Sequence, residues 1–150
     1  MKILFTCSSG GHLEELLQLK EIIKNNTSYI LTEKNQKELL FFKKKIIVKQ
    51  INRKEKNFYL HLISLTLKSI KVLKRLKPDI IISTGALVTV PVCIVGKLMH
   101  IKIIYIESFA RIYKPSLTGK IMYKFADVFI IQWPELKKYF PRAKYLGGIF

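Results

Sequence analysis

The sequence predicts an α/β, doubly wound, mainly parallel Rossmann-like sheet folded as one domain over residues 1–150. Three observations carry that reading. Short runs rich in β-branched residues alternate with longer segments of helical period. The short runs are apolar on both faces, as strands covered by helices on either side must be. Several of them lead directly into glycine and hydroxyl loops that precede a helix start, the arrangement of ligand crevices in open parallel sheets.

Taken in order, Ile3–Thr6 reads as the first strand and Leu13–Lys24 as a helix whose apolar set is Leu13, Leu16, Leu17, Ile22 and Ile23, with Leu19 less well placed. Ser28–Thr32 is a second strand, Gln36–Lys43 a short helix and Ile46–Ile51 a third strand. Phe58–Leu76 is a long helix that stops before Pro78, because proline restricts the residue ahead of it to extended backbone. Asp79–Ser83 is the fourth strand, and Pro91–Met99 a helix with proline in its first turn, where no N–H is needed. Lys102–Ile106, the helix Leu117–Phe125, the strand Asp127–Gln132, a short helix Pro134–Tyr139 and a last strand Lys144–Leu146 complete the series. The uncharged run from Ile80 to Gly96 approaches spanning length. With Ser83-Thr84-Gly85 at its middle, it reads as a strand, a loop and a helix start.

Composition narrows the function classes. The chain is 49% hydrophobic and 25% charged, which is globular and long enough to bury about 70% of its unfolded surface. It carries 27 Lys+Arg against 10 Asp+Glu, a formal +17, and so suits an anionic partner. Basic–aromatic interleaving and a recognition-helix motif are both missing, so nucleic acid is not the expected partner. Cys7 and Cys93 lie in apolar runs without metal or CxxC spacing and read as buried free thiols. No metal and no cofactor are expected. Strand residues begin at Lys2 without a leader-like segment, so a soluble or peripheral cytoplasmic protein is expected.

Three strand ends carry the chemistry. Ser8-Ser9-Gly10-Gly11-His12 follows the first strand. Its backbone N–H groups at a helix start suit a diphosphate, and a serine there also serves as a cap. His12, in the first helical turn, sits where the helix dipole favours the neutral imidazole, a proton acceptor. Ser83–Pro91 follows the fourth strand with Thr84 and Gly85 at its start, and Glu107, Ser108 and Arg111 follow the fifth. Glu107 is a candidate base or hydroxyl binder and Arg111 a phosphate clamp. Converging on one sheet edge, these loops would make a crevice.

The segments "CSSGGHLEEL", "STGALVTVPVCIVGKLM", "YIESFARI" and "FIIQWPELKKYFPRAKYLGGIF" together resemble the asparagine-linked glycosylation protein fourteen family and its bacterial PssD-type polysaccharide counterparts. The likeness runs in order over nearly the whole chain, with "IQWPELKKYFP" the most specific block. It implies the N-terminal, acceptor-binding half of a MurG-like GT-B glycosyltransferase, working with a separate small PssE-type subunit that binds the UDP-sugar. A lipid-diphosphate-linked saccharide in capsule or exopolysaccharide synthesis is then the acceptor, at the cytoplasmic face of the membrane.

Under that resemblance His12 and Glu107 are the candidate bases of an inverting transfer. Ser9, Gly10, Gly11, Thr84, Gly85, Ser108 and Arg111 are the acceptor or diphosphate binders, and Trp133, Tyr145, Gly147, Gly148 and Phe150 face the partner. The alternative is a non-catalytic scaffold that anchors and activates a catalytic partner. Peripheral membrane contact is expected from Phe58–Lys77, apolar in its first half and crowded by Lys68, Lys71, Lys74, Arg75 and Lys77 in its second. The same pattern also fits a core helix with a solvated basic end.

Overall fold

A computed structural model describes residues 1–34, 39–52 and 54–149. Seven strands form one sheet: β1 (Lys2–Cys7), β2 (Thr27–Glu33), β3 (Lys44–Val48), β4 (Ile80–Ser83), β5 (Lys102–Ile106), β6 (Val128–Ile131) and β7 (Lys144–Tyr145). Their order is β3-β2-β1-β4-β5-β6-β7, and every pair is parallel. The chain reverses its direction of travel across the sheet between β1 and β4. In open parallel sheets, ligand sites form outside the carboxyl ends of the strands at such a switch point.

Among the described residues five helices cover the two faces: α1 (Gly11–Leu17), α2 (Lys20–Lys24), α3 (Phe58–Leu76), α4 (Thr89–Leu98) and α5 (Leu117–Met122). Leu13, Leu16 and Ile23 from α1 and α2 pack with Ile3, Phe5 and Ile30 on one side. On the other, Leu65 and Leu73 of α3 and Val92, Cys93 and Val95 of α4 pack with Leu4, Leu31, Ile81 and Ile103. α4 lies so close to β4 that a Cβ at Gly96 would sit 2.3 Å from Ile81 Cδ1. Both cysteines are buried and unpaired, and burial pushes each thiol up to about 12.

Several boundaries differ from the sequence expectation. The segment Leu13–Lys24 is two helices, because Gln18 and Leu19 donate to the carbonyls three residues back and tighten the last turn of α1. That shift lets Leu19, misplaced for a single helix, pack against the core. β3 starts at Lys44 and ends at Val48, since Lys44 and Lys45 pair with Tyr29 and Ile30 as an edge strand that tolerates lysine. In the expected helix Gln36–Lys43, residues 35–38 lie outside the described residues, and Leu39–Phe42 forms a turn. α5 stops at Met122, and Pro134–Lys138 is a 3₁₀ turn. The uncharged run from Ile80 resolves into β4, a loop and α4. Among the described residues no helix is long and apolar enough to cross a membrane.

Candidate functional site

At the switch between β1 and β4 the two loops are fastened to each other. The His12 Nδ1–H donates to the Thr84 carbonyl at 2.8 Å, and the Thr84 hydroxyl returns a bond to the His12 carbonyl at 2.7 Å. Because a carbonyl can only accept, Nδ1 carries the hydrogen, and Nε2 of the neutral ring is left as an acceptor. Gly85 permits this clasp. It adopts φ +111°, and a Cβ there would stand 3.2 Å from His12 Cε1 and 3.1 Å from the Tyr105 hydroxyl.

One turn beyond His12, Glu15 points into the protein and holds the loop after β5. Its Oε1 accepts from the Ser108 hydroxyl at 2.8 Å and from the Phe109 N–H at 3.1 Å. Ser108 in turn donates its N–H to Glu107 Oε1 at 3.0 Å, while Glu107 Oε2 accepts from Ser116 Oγ at 3.1 Å. The same Ser116 hydroxyl caps α5 by accepting from Gly119 N–H at 2.8 Å. α1 is therefore tied to the β4 loop through His12 and to the β5 loop through Glu15.

Above these contacts lies a cleft of about 340 Å³ lined by His12, Ser108, Arg111, Ser116 and Thr118, with Ala86 and Leu117 among its apolar walls. Of the residues expected at the site, His12, Ser108 and Arg111 meet there, and Thr84 and Gly85 stand directly behind the imidazole. Glu107 lies beneath the cleft, wholly buried and bonded within the fold. Ser9, Gly10 and Gly11 do not line the cleft. Ser9 donates its N–H and hydroxyl to Glu33 Oε2 at the end of β2, so a carboxylate of the chain occupies that amide. Gly10 needs its φ of +77°, whereas a Cβ on Gly11 would meet open space.

The residues expected at a partner surface divide. Trp133 donates Nε1–H to the Phe109 carbonyl at 2.6 Å and rests its ring on Phe109, and Gly148 clears that same ring. These contacts are internal to the chain, while Gly148 is exposed and Trp133 half-buried. Tyr145 is exposed, Gly147 adopts φ +87° beside it, and Phe150 lies outside the described residues. Three residues escaped the sequence reading: Glu15, Ser116 and Gln132. Gln132 bridges the Glu107 carbonyl and the Ile149 N–H.

Burial raises both Glu15 and Glu107 above the ordinary 4.5, opposed in part by the Ser108 and Ser116 hydroxyls respectively. A raised carboxyl favours the neutral form in the folded state. The associated stability is full below pH 4.5 and is lost as pH rises through the raised values. The Glu15→Gln/Glu107→Gln double variant has no such dependence. Its stability relative to the unsubstituted protein is therefore expected to rise as pH increases from 4.5, measured by urea unfolding across a pH series. A constant difference would refute the assignment.

Comparison with known proteins places this architecture. Residues 3–149 match the family described as "Oligosaccharide biosynthesis protein Alg14 like". The chain is 31% identical over 181 aligned positions to the UDP-N-acetylglucosamine transferase subunit ALG14 of Rattus norvegicus, covering 98% of this chain and 82% of that protein. It is 43% identical to the Schizosaccharomyces pombe subunit over 47% of this chain and 36% of that one. Among solved structures it is similar to Acinetobacter baumannii MurG, with a TM-score of 0.76 at 16% identity, over 98% of this chain and 45% of that chain. A UDP-N-acetylglucosamine 2-epimerase from Rickettsia bellii has the same TM-score at 15% identity, covering 99% and 45%. This chain thus spans about half the length of those two, which share its fold. With the parallel sheet, the fastened loops and a match over almost every residue, the chain belongs to the Alg14-like family of oligosaccharide biosynthesis proteins.

Proposed function

We propose that this protein is the non-catalytic, membrane-attaching subunit of a two-chain glycosyltransferase. It holds a lipid-diphosphate-linked saccharide at the cleft and activates a small donor-binding partner of PssE type, which supplies the UDP-sugar. The setting is capsule or exopolysaccharide synthesis at the cytoplasmic face of the membrane. The observation that carries this reading is the family match over residues 3–149, together with 31% identity across 98% of the chain to a protein named a UDP-N-acetylglucosamine transferase subunit. The buried state of Glu107 agrees with it, because a carboxylate enclosed by Ser108, Ser116 and Gly119 is a structural group. Arg111 is exposed at the cleft and suits the acceptor diphosphate. Membrane contact falls to α3, whose Tyr59, Leu60, Ile63 and Leu67 are all more than half exposed.

A second reading rests on one specific feature. With Nδ1 held by the Thr84 carbonyl, His12 keeps an acceptor Nε2 at the edge of the cleft, as a general base requires. His12→Ala in the reconstituted pair separates the two readings. Loss of a positioned base lowers kcat by about 100- to 10,000-fold. A subunit that only binds and activates is expected to keep kcat within about tenfold, with a lower melting temperature from the broken clasp. A fall of 100-fold or more would overturn the non-catalytic assignment and make His12 the base.

A further inference from the structure

β3 is one edge of the sheet, and α3 does not close over it. A furrow of about 350 Å³ remains between them. Its rim carries five cations from two separate elements: Lys44 and Lys45 on β3, and Lys68, Lys71 and Arg75 on α3. Lys68 is used internally, donating to the Ile47 carbonyl at 2.7 Å and covering part of the strand edge. The side chains of the other four make no hydrogen bond or ion pair among the described residues, and no carboxylate lines the furrow. The apolar part of its lining is Ile46, Ile47, Val72 and Leu76. Unpaired like charges gathered around an apolar trough repel one another unless an anion with a hydrophobic body lies between them.

The furrow is continuous with the exposed stripe of α3. Leu60, Ile63 and Leu67 follow one another at helical spacing, and the next positions on that stripe are Lys71 and Lys74. The helix face thus changes from apolar to cationic where Lys71 joins the furrow rim. We infer that the β3–α3 furrow binds one anionic phospholipid of the bilayer. Its phosphate lies among Lys44, Lys45, Lys71 and Arg75, and the first part of an acyl chain lies along Ile47, Val72 and Leu76. This rests on the membrane-contact reading above and adds the β3 edge, which that reading does not involve. A free phosphate would make no use of the apolar lining, and a duplex would not need it.

The test is flotation of the full-length chain with phosphatidylcholine vesicles, with and without phosphatidylglycerol. Each cation at an anionic surface contributes about fivefold to partitioning. Lys44→Gln/Lys45→Gln is therefore expected to lower binding to the mixed vesicles about 30-fold. Lys138→Gln/Lys144→Gln, an equal charge change toward the opposite edge of the sheet, should leave it near the unsubstituted level. Glycerol 3-phosphate should not compete. Equal losses in the two double variants would overturn the inference in favour of net charge. Competition by glycerol phosphate, or duplex DNA binding with the same dependence on Lys44 and Lys45, would overturn it in favour of a soluble polyanion. Leu60→Ser/Ile63→Ser/Leu67→Ser separates the two claims. If it still floats, the α3 contact fails. If it is released while Lys44→Gln/Lys45→Gln binds normally, the furrow fails and the α3 contact stands.

Discussion

Purified without a second chain, this protein is expected to transfer no sugar from a UDP-sugar to a lipid-diphosphate acceptor. Adding the donor-binding partner should raise turnover by more than about 10⁵-fold, the scale contributed when two substrates are held in register. The expectation follows from the cleft itself. Its wall consists of α1, the loops after β4 and β5 and the start of α5, and it opens at the carboxyl edge of a single sheet. A second α/β unit facing that edge would complete the enclosure and exclude water from the reacting groups. Radiolabel transfer measured with each chain alone and with the pair provides the check. Comparable turnover by this chain alone would end the two-chain proposal.

Gly119→Ala should be among the most damaging single changes to the fold. A Cβ at that position would lie 1.7 Å from Glu107 Oε2 and 2.8 Å from its Cδ. The carboxyl group cannot swing away without leaving the Ser108 N–H or the Ser116 hydroxyl, and Glu107 itself is fully buried. Overpacking costs about 1–3 kcal/mol, and a lost bond at a buried polar group about as much again. We expect a loss of about 3 kcal/mol, or roughly 10 °C in melting temperature for a domain of this size. Shortening the acid relieves the collision, so Gly119→Ala/Glu107→Asp should recover part of the loss in a double-mutant cycle. A Gly119→Ala protein within about 0.5 kcal/mol of the unsubstituted one would refute the packing described here.

The fold was largely legible because its signals are local. α3 was delimited residue for residue, since a sustained helical period runs into Pro78. β5 was equally plain, an apolar run bounded by polar neighbours. The failures lie where a distant partner sets the outcome. Lys44 and Lys45 look like loop residues until β2 supplies a ladder, and the break at Leu19 depends on the core it packs against. At the site, the loops could be located because parallel strands deliver them to one edge. What those loops do to each other could not. Nothing in the sequence distinguishes a solvated glutamate from Glu15, bonded to Ser108 from 93 residues away, or shows that Glu33 reaches Ser9. The contact between Trp133 and Phe109, 24 residues apart, was equally invisible.

The position of β1 inside the sheet, third of seven strands, bears on how the chain is made. β1, β2 and β3 are contiguous in sequence and can pair while the ribosome is still working. The other side of β1 waits for β4, and the bond that brings them together at their start, Lys2 N–H to Asp79, spans 77 residues. Until then the nascent three-strand unit presents Ile3, Leu4 and Phe5 along an open strand edge. Synthesis at a brisk rate therefore favours edge-to-edge association between unfinished copies, and slower translation or an abundant trigger-type chaperone favours the monomeric sheet.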